Sequence, residues 1–203
     1  MTIYAIVNNL ISPDSREFQT GPIWTLISQS GILQGGNPYF VPDFASRFEA
    51  RLALAVKIGR LGKGIAHRFA HRYVEAVAPA VVFVAADLIQ NLSRQGLPWT
   101  QALSYDKCLA MGKFIQLPFG EVSGCGCALT LDVAGEEAME SSWDNEMLIP
   151  GIEDTIAALS RDNTLKTGDI ILFGLAGQGP AVQPESRARL YLNGTESLGF
   201  NIR

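Results

Sequence analysis

The sequence predicts a β-rich α+β fold in one domain, and three observations carry that prediction. Val, Ile, Leu and Ala dominate two stretches, Leu52–Ile58 and Ala80–Val84, with no polar alternation, as in strands covered on both faces. Asn193-Gly194 separates Arg187–Leu192 from Ser197–Ile202, the strongest short-range hairpin signal. Helical periodicity is confined to short segments, about three helices by spacing. The 203 residues, 47% hydrophobic and 18% charged, suit one core of ordinary size. We read residues 1–203 as a single domain, with 1–40 as an N-terminal arm or lid region and 41–203 as the core.

Taken in order, Tyr4–Val7 and Ile23–Ile27 are the first expected strands, and Gly35-Gly-Asn-Pro38 is a turn. Phe48–Gly59 holds the first buried strand and runs into the glycine-rich turn Gly59–Gly64. Ile65, Phe69, Tyr73 and Val77 then recur every four residues, which predicts an amphipathic helix ending near Pro79. Ala80–Val84 follows as a short strand. Asp87 is placed to N-cap a helix carrying Leu88 and Leu92, with Gly96 as its stop.

Phe114–Leu117 and Cys127–Val133 read as strands. Glu136, Glu137, Glu140, Asp144 and Glu146, together with Trp143, read as a solvated connection. Ile152–Leu159 is a short helix whose first turn carries Glu153 and Asp154, favoured there by the helix dipole. Thr164–Asp169 turns into the strand Ile170–Phe173, and the loop Gly174–Gly179 comes directly after it.

Several function classes drop out. A net charge of −4 without a Lys/Arg cluster excludes a nucleic-acid surface. No apolar run approaches the roughly 20 residues of a membrane helix. The start lacks a basic n-region, and the three cysteines, Cys108, Cys125 and Cys127, form no disulfide framework, so a cytoplasmic protein is expected.

The chemistry-bearing patterns are sparse. His67 and His71 share a helical face, but Arg68 stands where a zinc-protease motif needs Glu, leaving a solvated basic face. Cys125-Gly-Cys127 has no second ligand pair and reads as structural thiols. No G-x-S-x-G is present. The loop carrying Gly174, Gly177 and Gly179 lacks a phosphate-loop Lys-Ser/Thr, but its backbone amides can hold an anion or a carbonyl oxygen.

The ordered series of pieces resembles the fumarylacetoacetate hydrolase family, in particular its short stand-alone members. The similar stretches are Pro42-Asp-Phe44, Leu54–Gly59, Phe69-Ala70 with Tyr73, Phe83 with Ala85, and Asp87-Leu88. They continue through Gly96-Leu-Pro-Trp99, Asp106, Gly112-Lys-Phe114, Thr164–Asp169, Gly177-Gln-Gly-Pro180 and the terminal hairpin. The resemblance implies a rolled mixed β-sheet, commonly a homodimer. It also implies Mg²⁺ or Mn²⁺ held by a Glu-x-Glu pair and an Asp on the next strand, acting on 2-oxo or β-diketo acids. A hard dication takes such oxygen ligands and stabilises enolate charge.

Matched residue by residue, the Glu-x-Glu positions fall on Arg51 and Ala53, and the Asp falls on Val82. The family's active-site lysine falls on Leu103. Its Thr-Gly-Thr-Pro becomes a shortened Gly174-Leu175-Ala176, and no histidine lies before residue 67 to serve as its lid histidine. The family's second aspartate falls on Asp87, and Glu49 remains at the edge of the strand. The expectation is a homologue without a metal cofactor, non-catalytic or ligand-binding. The rival is an active hydrolase, decarboxylase or isomerase in which Arg51 pairs with a substrate carboxylate and the amides of Gly174, Gly177 and Gly179 assist. Tyr105 and Cys108 would then be its acid–base candidates.

Overall fold

The computed structural model describes residues 1–8, 21–116, 125–133, 139–144, 148, 151–175 and 178–203. The first seven strands are β1 (Ile3–Ile6), β2 (Trp24–Ile27), β3 (Ile32–Leu33), β4 (Phe48–Ile58), β5 (Val74–Ala85), β6 (Leu109–Met111) and β7 (Ile115–Gln116). Then come β8 (Gly126–Val133), β9 (Met139–Asp144), β10 (Ile170–Phe173), β11 (Ser186–Leu192) and β12 (Thr195–Ile202). The helices are α1 (His67–Ala70), α2 (Ala86–Arg94) and α3 (Ile152–Asp162). Among the described residues, no helix is long and apolar enough to cross a membrane.

Two sheets organise these elements. The larger is mixed, in the order β2-β1-β10-β4-β5-β6-β3, with β7 also paired to β5. Its β1–β10 and β3–β6 pairs are parallel. The smaller sheet, β12-β11-β8-β9, is antiparallel throughout. The architecture is therefore the mixed, curled β-sheet with short helices that the sequence predicts.

Pairing of β4 with β5 organises the core, running from Phe48 opposite Ala85 to Ile58 opposite Val74. Side chains alternate between the two faces. Leu52, Leu54, Val56, Val81 and Phe83 pack with Leu129 and Leu190 of the second sheet and Ile156 of α3. Ala53, Ala55, Ala78, Ala80 and Val82 face the other way, toward Leu103, Leu109, Leu172 and Leu175.

Three local expectations are corrected. The helix expected over Ile65–Val77 shrinks to one turn of α1 and a 3-10 turn, His71–Tyr73; from Val74 the chain is strand. The four-residue spacing is real, but the cross-strand ladder to β4 outweighs it, and Val74, Val77, Val81, Val82 and Val84 suit a strand. Pro79 is tolerated mid-strand because β6 pairs with Ala80–Val82 and β7 with Ala76–Val77, on either side of it. Its carbonyl still accepts from the Gly112 N–H at 2.8 Å.

Asp87 is not the N-cap of α2; Ala85 is, without a side-chain cap. The Asp87 carboxylate instead accepts from the Ser46 N–H at 2.9 Å, the Ser46 hydroxyl at 2.6 Å and the Leu88 N–H at 2.9 Å. Gly96 does end the helix, at φ +66°, with the Leu97 N–H reaching back to the Leu92 carbonyl. The acidic stretch expected as a connection contains β9, which pairs with β8 and buries Trp143. Glu136, Glu137 and Glu146 lie outside the described residues.

Candidate functional site

Strand alternation puts residues 49, 51 and 53 of β4 on one side, and Arg47, just before the strand, reaches Glu49. Arg51 lies opposite Val82, and Ala53 opposite Ala80. The three positions expected to have lost metal ligands, Arg51, Ala53 and Val82, are thus neighbours on one face. Ala53 and Val82 are fully buried, and Leu103 and Leu175 are each 1% exposed in the same apolar cluster. Leu103, at the position of the expected lysine, therefore does belong to this face.

These residues do not fit a divalent ion. Mg²⁺ and Mn²⁺ need several oxygen ligands, and Ala53, Val82, Leu103 and Leu175 offer no side-chain oxygen. Arg51 would place a like charge beside the ion. Among the described residues, no three His, Cys, Asp or Glu side chains come together as a metal-binding group.

Arg51 is held in a row of charges. Its Nη2 meets Glu49 Oε2 at 3.2 Å, and its Nη1 donates to the Leu175 carbonyl at 3.3 Å. The other Glu49 oxygen, Oε1, meets Arg47 Nη2 at 3.1 Å. Side-chain exposure falls from 60% at Arg47 to 18% at Arg51 and 9% at Glu49, so the carboxylate is the most enclosed member. Arg51 Nε is buried and, among the described residues, has no hydrogen-bond partner. An orphaned buried donor of this kind is costly and uncommon.

The described ends of the loop after β10 lie against β4, with the Leu175 carbonyl on Arg51. At one end Phe173 pairs with Leu54. At the other, the Ala50 N–H donates to the Pro180 carbonyl at 2.9 Å, and the Val182 N–H to the Phe48 carbonyl at 2.8 Å. Gly174 has φ +91°, and a Cβ there would strike the Trp143 ring at 2.4 Å. Gly179 is required for a different reason, since its Cβ would lie 2.0 Å from the Ala50 carbonyl oxygen. Gly177 lies outside the described residues.

The two acid–base candidates are tied into the interior. Tyr105 has its hydroxyl pKa raised by burial and then by neighbouring Tyr39, and it donates to the Phe83 carbonyl at 2.9 Å. Burial pushes the Cys108 thiol up to about 11. Both therefore hold their protons at neutral pH, and Cys108 is fully buried. Cys125 and Cys127 are free, buried thiols, and burial lifts Cys127 to about 12. His67 is exposed and reaches Asp154 at 3.3 Å, while Arg68 and Arg72 lie over the Phe69 ring at 4.7 and 4.9 Å.

Glu49 is the residue that sequence reasoning undervalued. The signal was present as the alternation Arg47-x-Glu49-x-Arg51, which puts opposite charges side by side on a strand face.

Comparison with known proteins agrees with this architecture. The family model for the fumarylacetoacetate (FAA) hydrolase C-terminal domain matches residues 11–201. The mitochondrial oxaloacetate tautomerase FAHD1 of Bos taurus is 28% identical over 195 residues, covering 92% of this chain and 85% of its own length. Oxaloacetate tautomerase YcgM of Escherichia coli (strain K12) is 25% identical over 162 residues, covering 78% of this chain and 72% of its own. Fumarylpyruvate hydrolase from Pseudomonas aeruginosa, solved in complex with Mn²⁺ and pyruvate, superposes with a TM-score of 0.81 at 21% identity. That match covers 100% of this chain and 89% of the hydrolase.

Proposed function

The chain belongs to the fumarylacetoacetate hydrolase family, and within it we propose a ligand-binding member that has given up divalent-metal catalysis. One observation carries this reading: Arg51, Ala53 and Val82 stand together on the β4–β5 face, with Leu103 buried in the same apolar cluster as Ala53 and Val82, where the family resemblance places two glutamates, an aspartate and a lysine. Four changes of chemistry converge on one patch while the sheet beneath it remains whole.

The ligand class follows from what remains. Arg51 offers a guanidinium to a carboxylate, and the relatives named above act on oxaloacetate or fumarylpyruvate. A small 2-oxo carboxylate is therefore the class this protein binds. Calorimetric titration with Mn²⁺ and Mg²⁺, beside an assay of oxaloacetate tautomerisation with and without chelator, tests the reading. We expect no saturable metal binding and no chelator-sensitive turnover; micromolar Mn²⁺ affinity with turnover abolished by chelator would sink it.

A second reading keeps an enzyme. The buried Nε of Arg51 is a donor without a partner among the described residues, so Arg51 can stabilise developing negative charge without a metal. Turnover that persists in chelator and vanishes in Arg51→Ala would favour it over the binding role.

A further inference from the structure

We infer that Glu49 is a built-in competitor for the ligand carboxylate: it occupies the edge of Arg51 that an incoming carboxylate must take. This rests on the binding role proposed for Arg51 and adds how that site is controlled.

The geometry is that of a half-used fork. The Nε and Nη2 of a guanidinium present parallel N–H groups that match the two oxygens of one carboxylate. At Arg51 the Nη2 is taken by Glu49 Oε2 at 3.2 Å, while Nε is buried without a partner among the described residues. Glu49 leaves the fork half filled because its other oxygen is drawn to Arg47 Nη2 at 3.1 Å. One carboxylate is thus shared between two arginines, and each holds it by a single contact.

The backbone keeps this arrangement in place. Glu49 bridges to Ala181 on one side and pairs with Val84 on the other, so its Cα is fixed between two strand neighbours. The Nη1 of Arg51 is pinned to the Leu175 carbonyl, which fixes the guanidinium. Only the Glu49 carboxylate is held by groups that can be exchanged. A ligand carboxylate binding both Nε and Nη2 satisfies the orphaned donor, while Glu49 stays on Arg47. The exchange replaces a one-contact pair by a two-contact pair without leaving Glu49 uncompensated.

The test is a calorimetric titration of pyruvate and of oxalate into the intact chain, with EDTA present throughout. Glu49→Gln is expected to tighten binding about tenfold, by freeing one charge-assisted hydrogen bond. Arg47→Ala is expected to weaken binding, because both Glu49 oxygens can then turn to the fork. Arg47 is exposed, so this variant tests the idea even where Glu49→Gln fails to fold. Arg51→Lys, which keeps the charge and loses the fork, should bind more weakly than the parent.

Unchanged affinity in both Glu49→Gln and Arg47→Ala overturns the competition. Binding that survives Arg51→Ala overturns the site itself. Because metal is absent throughout, either failure is distinct from finding Mn²⁺ binding in the calorimetry above.

Discussion

Val82 and Asp87 lie five positions apart, one on β5 and one in the first turn of α2, and their surroundings differ in kind. Position 82 corresponds to a metal-binding aspartate in the family resemblance; here it is a fully buried valine packed with Ala53, Leu103 and Leu175. Position 87 corresponds to a second aspartate and remains one. Its carboxylate ties the Ser46 backbone and hydroxyl to the start of the helix. An acid whose partners are atoms of its own chain stays useful without a metal. An acid that serves only a metal becomes a buried charge without a partner once its fellow ligands are gone. The junction at Ser46 and Asp87 therefore belongs to the fold, whereas the face at Val82 is apolar packing across the strand pair from Arg51.

The largest expected effect breaks that contrast directly. Val82→Asp puts a carboxyl group into a fully buried apolar cluster, opposite an Arg51 whose guanidinium Glu49 already engages, and should cost about 4 kcal/mol in urea unfolding. Adding Arg51→Glu and Ala53→Glu should make the loss reversible by Mn²⁺, read as a rise in Tm; no response to Mn²⁺ would separate this face from a metal site altogether. Leu103→Ala should cost about 3 kcal/mol in the same measurement, because Leu103 fills buried space in the apolar cluster.

Asp87→Asn is the smallest change, about 1 kcal/mol for weakened hydrogen bonds to a charged acceptor. It carries a pH signature. The Ser46 hydroxyl holds the Asp87 pKa below its ordinary 3.8, with the Ser46 and Leu88 amides adding to the effect. A carboxylate with a lowered folded pKa stabilises above its unfolded pKa and loses that contribution as pH falls through the folded one. The gap between parent and Asp87→Asn should therefore be full near neutral pH and close below about pH 4. A gap that stays constant down to pH 3 would remove the charge from the explanation.

Legibility in the sequence followed the range of the forces involved. The terminal hairpin was readable because Asn193 and Gly194 both adopt positive φ, 49° and 76°, a demand met within the turn itself. Ile170–Phe173 and α3 were readable for the same local reasons. β5 was misread at its start because Ile65, Phe69, Tyr73 and Val77 carry a helical spacing; eleven cross-strand pairs with β4 decided otherwise. Asp87 was rightly placed at the helix start, but its function there depends on Ser46, 41 positions away.

From the sequence alone came the family resemblance, the mixed β-sheet and the identity of the residues at the expected ligand positions, because ordered motifs and turn chemistry are written in the chain itself. Tertiary structure decided what those residues do to one another. It brought Leu175 onto Arg51, left Arg51 Nε without a partner among the described residues, and set Glu49 between two arginines. Those relations depend on strand register and on a loop arriving from more than 120 residues away, and no local pattern encodes either.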